Sequence, residues 1–167
     1  MKMTGNISDQ GDQLGLPWDL REWFGEFTLL RWIEEDVETL EWDNTNLLQF
    51  LRAHPEFRPK PLLVLLTYAY ATATYSAEDI ACECDTDGLL RSVCAGFAPS
   101  KKEILAFRRE NRGLLKWFLT QLFKRALREK FELRDALLPG GLKRRLEEAA
   151  ITRIDLARHL DRGPHAD

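Results

Sequence analysis

Six cations fall within one short stretch of the chain: Lys101, Lys102, Arg108, Arg109, Arg112 and Lys116. Side chains of this type at this density suit the holding of polyanions, because each one that reaches a phosphate displaces a condensed counterion. Residues 99–111 read Pro-Ser-Lys-Lys-Glu-Ile-Leu-Ala-Phe-Arg-Arg-Glu-Asn. Ser100 with Glu103 three residues later forms a capping box, so a helix starts here. A helix that begins sharply and carries cations on its first turns is what a helix-turn-helix protein lays into DNA. The spacing predicts one long helix over 101–131. At 100° per residue its six cations share an arc of roughly 120°. Ile104, Phe107, Leu114, Leu115, Phe118 and Leu122 form the adjacent apolar stripe, with Glu103 and Glu110 on the far flank. Arg108 lies nearest the stripe, where a structural ion pair competes with a phosphate contact.

Other chemistries find less material. The three cysteines are Cys82, Cys84 and Cys94. A Cys-x-Cys pair is poorly spaced for a local disulfide, and an odd count does not suit a secreted framework. His54, His159 and His165 are distant in sequence, so a zinc site lacks its fourth ligand. The cysteines read as small buried residues of a reduced protein, and neither a metal nor another cofactor is expected. Glu147 and Glu148 are neighbours on a solvated helix, and Asp155 and Asp161, six apart, do not share a helical face. No Ser/His/Asp set, Cys/His pair or glycine-rich phosphate loop is present. An independent enzyme is therefore not expected.

The elements that must position the cations read as helices almost throughout. The chain has 167 residues, 44% of them apolar and 31% charged, enough for one core-bearing domain and too rich for wholesale disorder. Its net charge of −3 averages two unlike halves. Residues 1–99 carry 7 Lys/Arg against 17 Asp/Glu; residues 100–167 carry 17 against 10. An acidic body joined to a basic element is the pattern of a polyanion-facing protein. The same pattern also fits two halves that pack on each other.

The expected order begins with a mobile lead, 1–16, and a helix from Pro17 to about Glu35. A helix opens after Asn44–Asn46, and a proline-rich linker covers 54–61. An almost wholly apolar, buried helix follows over 62–74. Ser76 and the Asp85–Asp87 group cap two short helices, 77–84 and 88–95. These, with the start of the basic helix, make a helix-turn-helix-like unit over 76–113. Pro139, Gly140 and Gly141 mark a stop before a final helix, 142–160. The fold class is all-α: a compact multi-helix domain containing the helix-turn-helix-like unit, with a long basic helix and a C-terminal helix. The domain reading is 1–16, 17–135 and 142–167. The N-terminus lacks an apolar signal region and the longest apolar run is too short for a bilayer, so a soluble, cytoplasmic protein without a membrane partner is expected.

A family pattern runs through the same residues. It comprises Glu41-Trp42-Asp43 and His54-Pro55-Glu56-Phe57-Arg58-Pro59. It continues with Leu63-Val64-Leu65-Leu66-Thr67-Tyr68-Ala69-Tyr70 and Tyr75-Ser76-Ala77-Glu78-Asp79-Ile80, and ends with Pro99 and Phe107-Arg108-Arg109-Glu110-Asn111. In this order they resemble the N-terminal domain of DDE insertion-sequence transposases of the InsH-like type, over about 80 to 100 residues. The resemblance implies a helical domain that recognises the terminal inverted repeats of a mobile element, with Pro99 to Asn111 in the recognition stretch. Lys102, Glu103 and Leu105 stand where that family usually has small hydroxyl residues. Full-length relatives carry a catalytic domain whose three carboxylates bind two Mg²⁺ ions. After Phe131 this chain offers only Asp135, the Pro139–Gly141 stop and a helix.

Two function classes follow. One is a DNA-binding module for inverted-repeat-like duplex sites, without its own catalysis, acting alone, as a homodimer or beside a catalytic transposase partner. The other is a helical interaction or oligomerisation module in which the acidic and basic halves meet.

Overall fold

A computed structural model describes residues 15–40, 49, 52–53, 58–94, 96, 98–133 and 141–162. Seven α-helices are fully bounded among them: α1 Glu26–Glu38, α2 Pro59–Ala71, α3 Ala77–Thr86, α4 Gly88–Val93, α5 Lys101–Glu110, α6 Arg112–Phe131 and α7 Leu142–Arg162. A single 3-10 turn, Leu20–Glu22, precedes α1. The described residues form no strand, only an isolated bridge between Asp19 and Thr72. The protein is all-α.

The fold is organised around α2. Every residue from 62 to 71 is buried, and the helix touches α1, α4, α5, α6 and α7. A helix apolar on all sides has no face to give to water, so its neighbours must surround it. It opens at Pro59, three residues earlier than expected, which takes Pro59 and Pro61 out of the linker. The first turn has no intrahelical use for its N–H groups, and the pyrrolidine ring presets φ, so proline starts this helix rather than preventing it. Tyr68 on α2 donates to the Glu26 carboxylate of α1 at 2.8 Å. Burial and that hydrogen bond push the Tyr68 phenol above its usual range.

The N-terminal part also departs from a single helix over 17–35. Asp19 accepts from the Arg21 backbone and closes the 3-10 turn, and α1 starts afresh after Gly25. Leu16, expected in the mobile lead, is 3% exposed in the core. Residues 1–14, most of the helix expected after Asn44–Asn46 and the 54–57 part of the linker lie outside the described residues.

α6 and α7 pack along their lengths, with Arg112 at the start of one meeting Asp155 toward the end of the other. From α7, Leu146, Ala149, Ala150, Ile154 and Ala157 enter the same core as α2. Arg153 does too, fully buried. Its guanidinium lies 4.4 Å from the Trp18 ring centroid and 4.7 Å from that of Phe123. It donates to the Ala149 carbonyl at 3.1 Å and the Pro17 carbonyl at 3.2 Å. The N-terminal segment, α6 and α7 are thus joined through one cation.

Truncating Arg153 removes its contacts with the Trp18 and Phe123 rings and its hydrogen bonds to the Ala149 and Pro17 carbonyls, and leaves a void. Arg153→Ala is expected to destabilise the protein by about 3 kcal/mol. Urea denaturation measures this; a loss below about 1 kcal/mol would show that the cation adds little to the packing.

Candidate functional site

The Ser100 capping box forms as the sequence indicates. Ser100 Oγ accepts from the Glu103 backbone N–H at 3.1 Å, and Glu103 Oε1 accepts from the Ser100 N–H at 2.8 Å. Lys101 and Lys102 are exposed on the first turn that follows.

The long basic helix is not continuous. At Asn111 the backbone leaves helical geometry, with φ −124° and ψ 33°, and α6 begins at the next residue. Asn111 is 2% exposed, and both its backbone N–H and its side-chain amide donate to the Phe107 carbonyl, at 2.9 and 3.1 Å. A short polar side chain bonding to local backbone offers an alternative to the helix ladder, and Gly113 two residues on lowers the cost of the break. The 21-residue α7, not a 101–131 helix, is the longest element. The single 120° arc of cations was reckoned on an unbroken helix and does not carry over.

What replaces it is a groove of about 770 Å³ where α5, the start of α6 and the end of α7 converge. Arg108, Arg109, Arg112, Arg158 and Arg162 line it, with Leu105, Asp155 and Asp161. Five guanidinium groups thus face two carboxylates. Three of the expected cations are brought together here. Lys101 and Lys102 lie one helical turn before Leu105 on α5, continuing its line. Lys116 lies in the next cleft along the α6–α7 seam, beside Trp117, Lys124 and Lys143.

The arginines divide by burial. Arg108 is 7% exposed and ion-paired to Asp161, whose side chain is 3% exposed. The other carboxylate oxygen of Asp161 accepts from the Ala77 backbone N–H at 2.7 Å, the first residue of α3. Burial works against the Arg108 charge, but nearby Tyr70 and Asp161 outweigh it, so the guanidinium holds its proton more firmly than usual. Burial likewise pushes the Tyr70 phenol up to about 12. Arg108 is therefore a structural cation, the alternative its position beside the apolar stripe already raised.

The others are nearer water. Arg112 pairs with Asp155 at 2.6 Å, both side chains 44% exposed. One such pair leaves further guanidinium donors for a ligand. Arg109 has its side chain 71% exposed, with Glu110 at 3.7 Å. Arg158 is exposed on α7, and Arg162 one turn further completes the rim. Sequence reasoning missed Arg158 and Arg162. Their i, i+4 spacing from each other was visible, but not that α7 would lay them beside α5. It also separated Asp155 from Asp161; both line the groove, each engaged by a different arginine.

Chemically, the groove can bind and orient phosphates, since planar guanidinium forks match their geometry. Among the described residues no three His, Cys, Asp or Glu side chains gather as a metal site, and no helix is long and apolar enough to cross a membrane. The cysteines differ in part from expectation: Cys84 and Cys94 are buried, whereas Cys82 is exposed on the outer side of α3.

Two neighbouring aspartates give a sharp contrast. Asp161→Asn leaves Arg108 buried without its counter-charge and should cost about 3–5 kcal/mol. Asp155→Asn breaks an exposed pair and should cost under about 1 kcal/mol. Equal losses in denaturant titrations would overturn the division of the groove into structural and presented cations.

No family model, curated protein or solved structure matches this chain.

Proposed function

We propose that the chain binds double-stranded DNA through the arginine-lined groove and the exposed start of α5, as a transposase-type end-recognition module. The observation that carries this reading is the convergence of five arginines from α5, α6 and α7 on one groove holding two carboxylates. The helices α3, α4 and α5 follow one another in the order of a helix-turn-helix unit, and α3 packs on both of the others. In this reading α5 is the recognition helix. Lys101 and Lys102 on its first turn face base edges or flanking phosphates, and Arg109, Arg112, Arg158 and Arg162 hold the backbone. The resemblance of residues 41–111 to InsH-like transposase N-terminal domains supports mobile-element ends as the class of site. Among the described residues, Arg108 and Arg112 take their carboxylate partners from α7 rather than from the acidic first 99 residues.

The alternative, an interaction module, has less support. Among the described residues, the large exposed apolar side chains Phe27, Trp117, Phe131 and Leu160 are distributed over α1, α6 and α7. Apolar residues that surface singly are normal for a monomer.

Binding to duplex DNA, followed by fluorescence anisotropy at several salt concentrations, should weaken with a log–log slope of about −4, the value for four to five phosphate contacts. Arg158→Ala and Arg109→Ala, both at exposed positions, should each flatten that slope by about 1. If Lys101 or Lys102 reads a base edge, its alanine variant should lose about 1–3 kcal/mol of discrimination between sites instead. A flat, salt-independent titration together with concentration-dependent self-association would transfer the basic face to the alternative reading.

Strand chemistry is a separate matter. Protein incubated with Mg²⁺ or Mn²⁺ and DNA bearing element ends should neither nick nor join it. Metal-dependent cleavage abolished by changing one Asp or Glu would establish an active site of its own.

A further inference from the structure

Cys84 sits on the inner side of α3 and Cys94 caps the end of α4, each 1% exposed. Their sulfur atoms are 3.4 Å apart, in direct contact. Asp87 alone joins the two helices, serving as C-cap of α3 and N-cap of α4 through hydrogen bonds to Leu89 and Leu90. The thiols are thus presented to each other by a tight helical hairpin rather than by chance proximity of loops. We propose that Cys84 and Cys94 are a redox-active pair that closes to an intramolecular disulfide within the native fold when the protein meets a hydroperoxide.

The chemistry balances with a two-electron oxidant small enough to reach a buried sulfur. The Cys84 thiolate attacks a peroxide oxygen, the O–O bond breaks, and hydroxide leaves and takes a proton. Cys84 is then a sulfenic acid. The Cys94 sulfur attacks Cys84, forming the S–S bond and breaking S–O; the departing hydroxide takes the proton that Cys94 releases. Two thiols and one hydrogen peroxide give one disulfide and two waters. Cys84 suits the first role because, once ionised, its sulfur can accept a hydrogen bond from the adjacent Cys94 thiol, and this holds the Cys84 thiol below the usual value, against the effect of burial. Donating that bond, together with burial, pushes Cys94 up, so it reacts second.

The consequence is local and directed. Cys94 lies six residues before Ser100, in the connection that delivers the chain to α5. There Gly96 turns with φ 81° and donates to the Arg91 carbonyl at 3.3 Å. A disulfide converts the contact between α3 and α4 into a covalent one and fixes the point from which α5 departs. Exposed Cys82, two residues away on the same helix, belongs to the opposite side and would report surface oxidation only.

The test uses the full chain carrying Cys82→Ser, so that only the pair remains. After graded hydrogen peroxide, the protein is unfolded in alkylating reagent and its intact mass is read. The expected product is monomeric, lacks two hydrogen masses and takes up no alkyl group, and its melting temperature rises by roughly 5–10 °C, reversed by a reductant. Adding Cys94→Ser should replace this product with singly oxidised or adducted forms of Cys84. The proposal is overturned if the pair stays fully alkylatable, if oxidation yields dimers or higher oxides of single thiols, or if the oxidised chain melts lower than the reduced one.

Discussion

The rest of the structure depends on the buried Asp161 carboxylate. One oxygen takes the guanidinium of Arg108 and the other the backbone N–H that opens α3, so residues 77, 108 and 161 meet on a single group. An isolated carboxylate at 3% exposure would be costly, and so would an isolated guanidinium; each makes the other tolerable. The positive end of the α3 dipole adds to the same balance. Such a junction cannot be half made. Helix α7 must lie where it does for α5 to bury Arg108, and α3 must start where it does for Asp161 to be fully satisfied.

The same junction explains why the groove exists. Four further arginines on neighbouring turns repel one another, and they stay close because the scaffold beneath them is fixed by a bond of opposite sign. Asp155 relieves part of that repulsion at the rim without closing the groove. Screening limits the reach of exposed charges to about 8 Å at physiological salt, so the acidic body matters mainly where it touches. One such place is Glu35 on α1 with Arg125 on α6, at 2.9 Å.

Local signals were legible in the sequence because they act within a few residues. The Ser100–Glu103 capping box, the apolar run that becomes α2 and the stop before Gly141 each place an element close to where it is found. Pro59 and Asn111 were misread because both residues have two local uses. Proline breaks a helix interior but opens its first turn, and asparagine tolerates a helix but bonds well to a backbone that leaves one. The cation cluster was half legible. Arg108, Arg109 and Arg112 are neighbours in the chain, whereas Arg158 and Arg162 join them only through the α6–α7 register, which no short-range pattern encodes. The Cys84–Cys94 contact was hidden likewise, since it needs the turn angle at Asp87 and not merely its capping chemistry.

Arg153 has a consequence for how the chain reaches this state. A guanidinium cannot shed its hydration until something else solvates it, and here the substitutes come from opposite ends of the sequence: the Pro17 carbonyl and Trp18 ring on one side, Phe123 on the other. Position 153 and position 17 are 136 residues apart. Contacts of that separation form late, because closing so long a loop costs entropy before any packing repays it. Helix α7 therefore stays partly wet until Pro17 and Trp18 arrive, and these distant parts of the chain consolidate in one step.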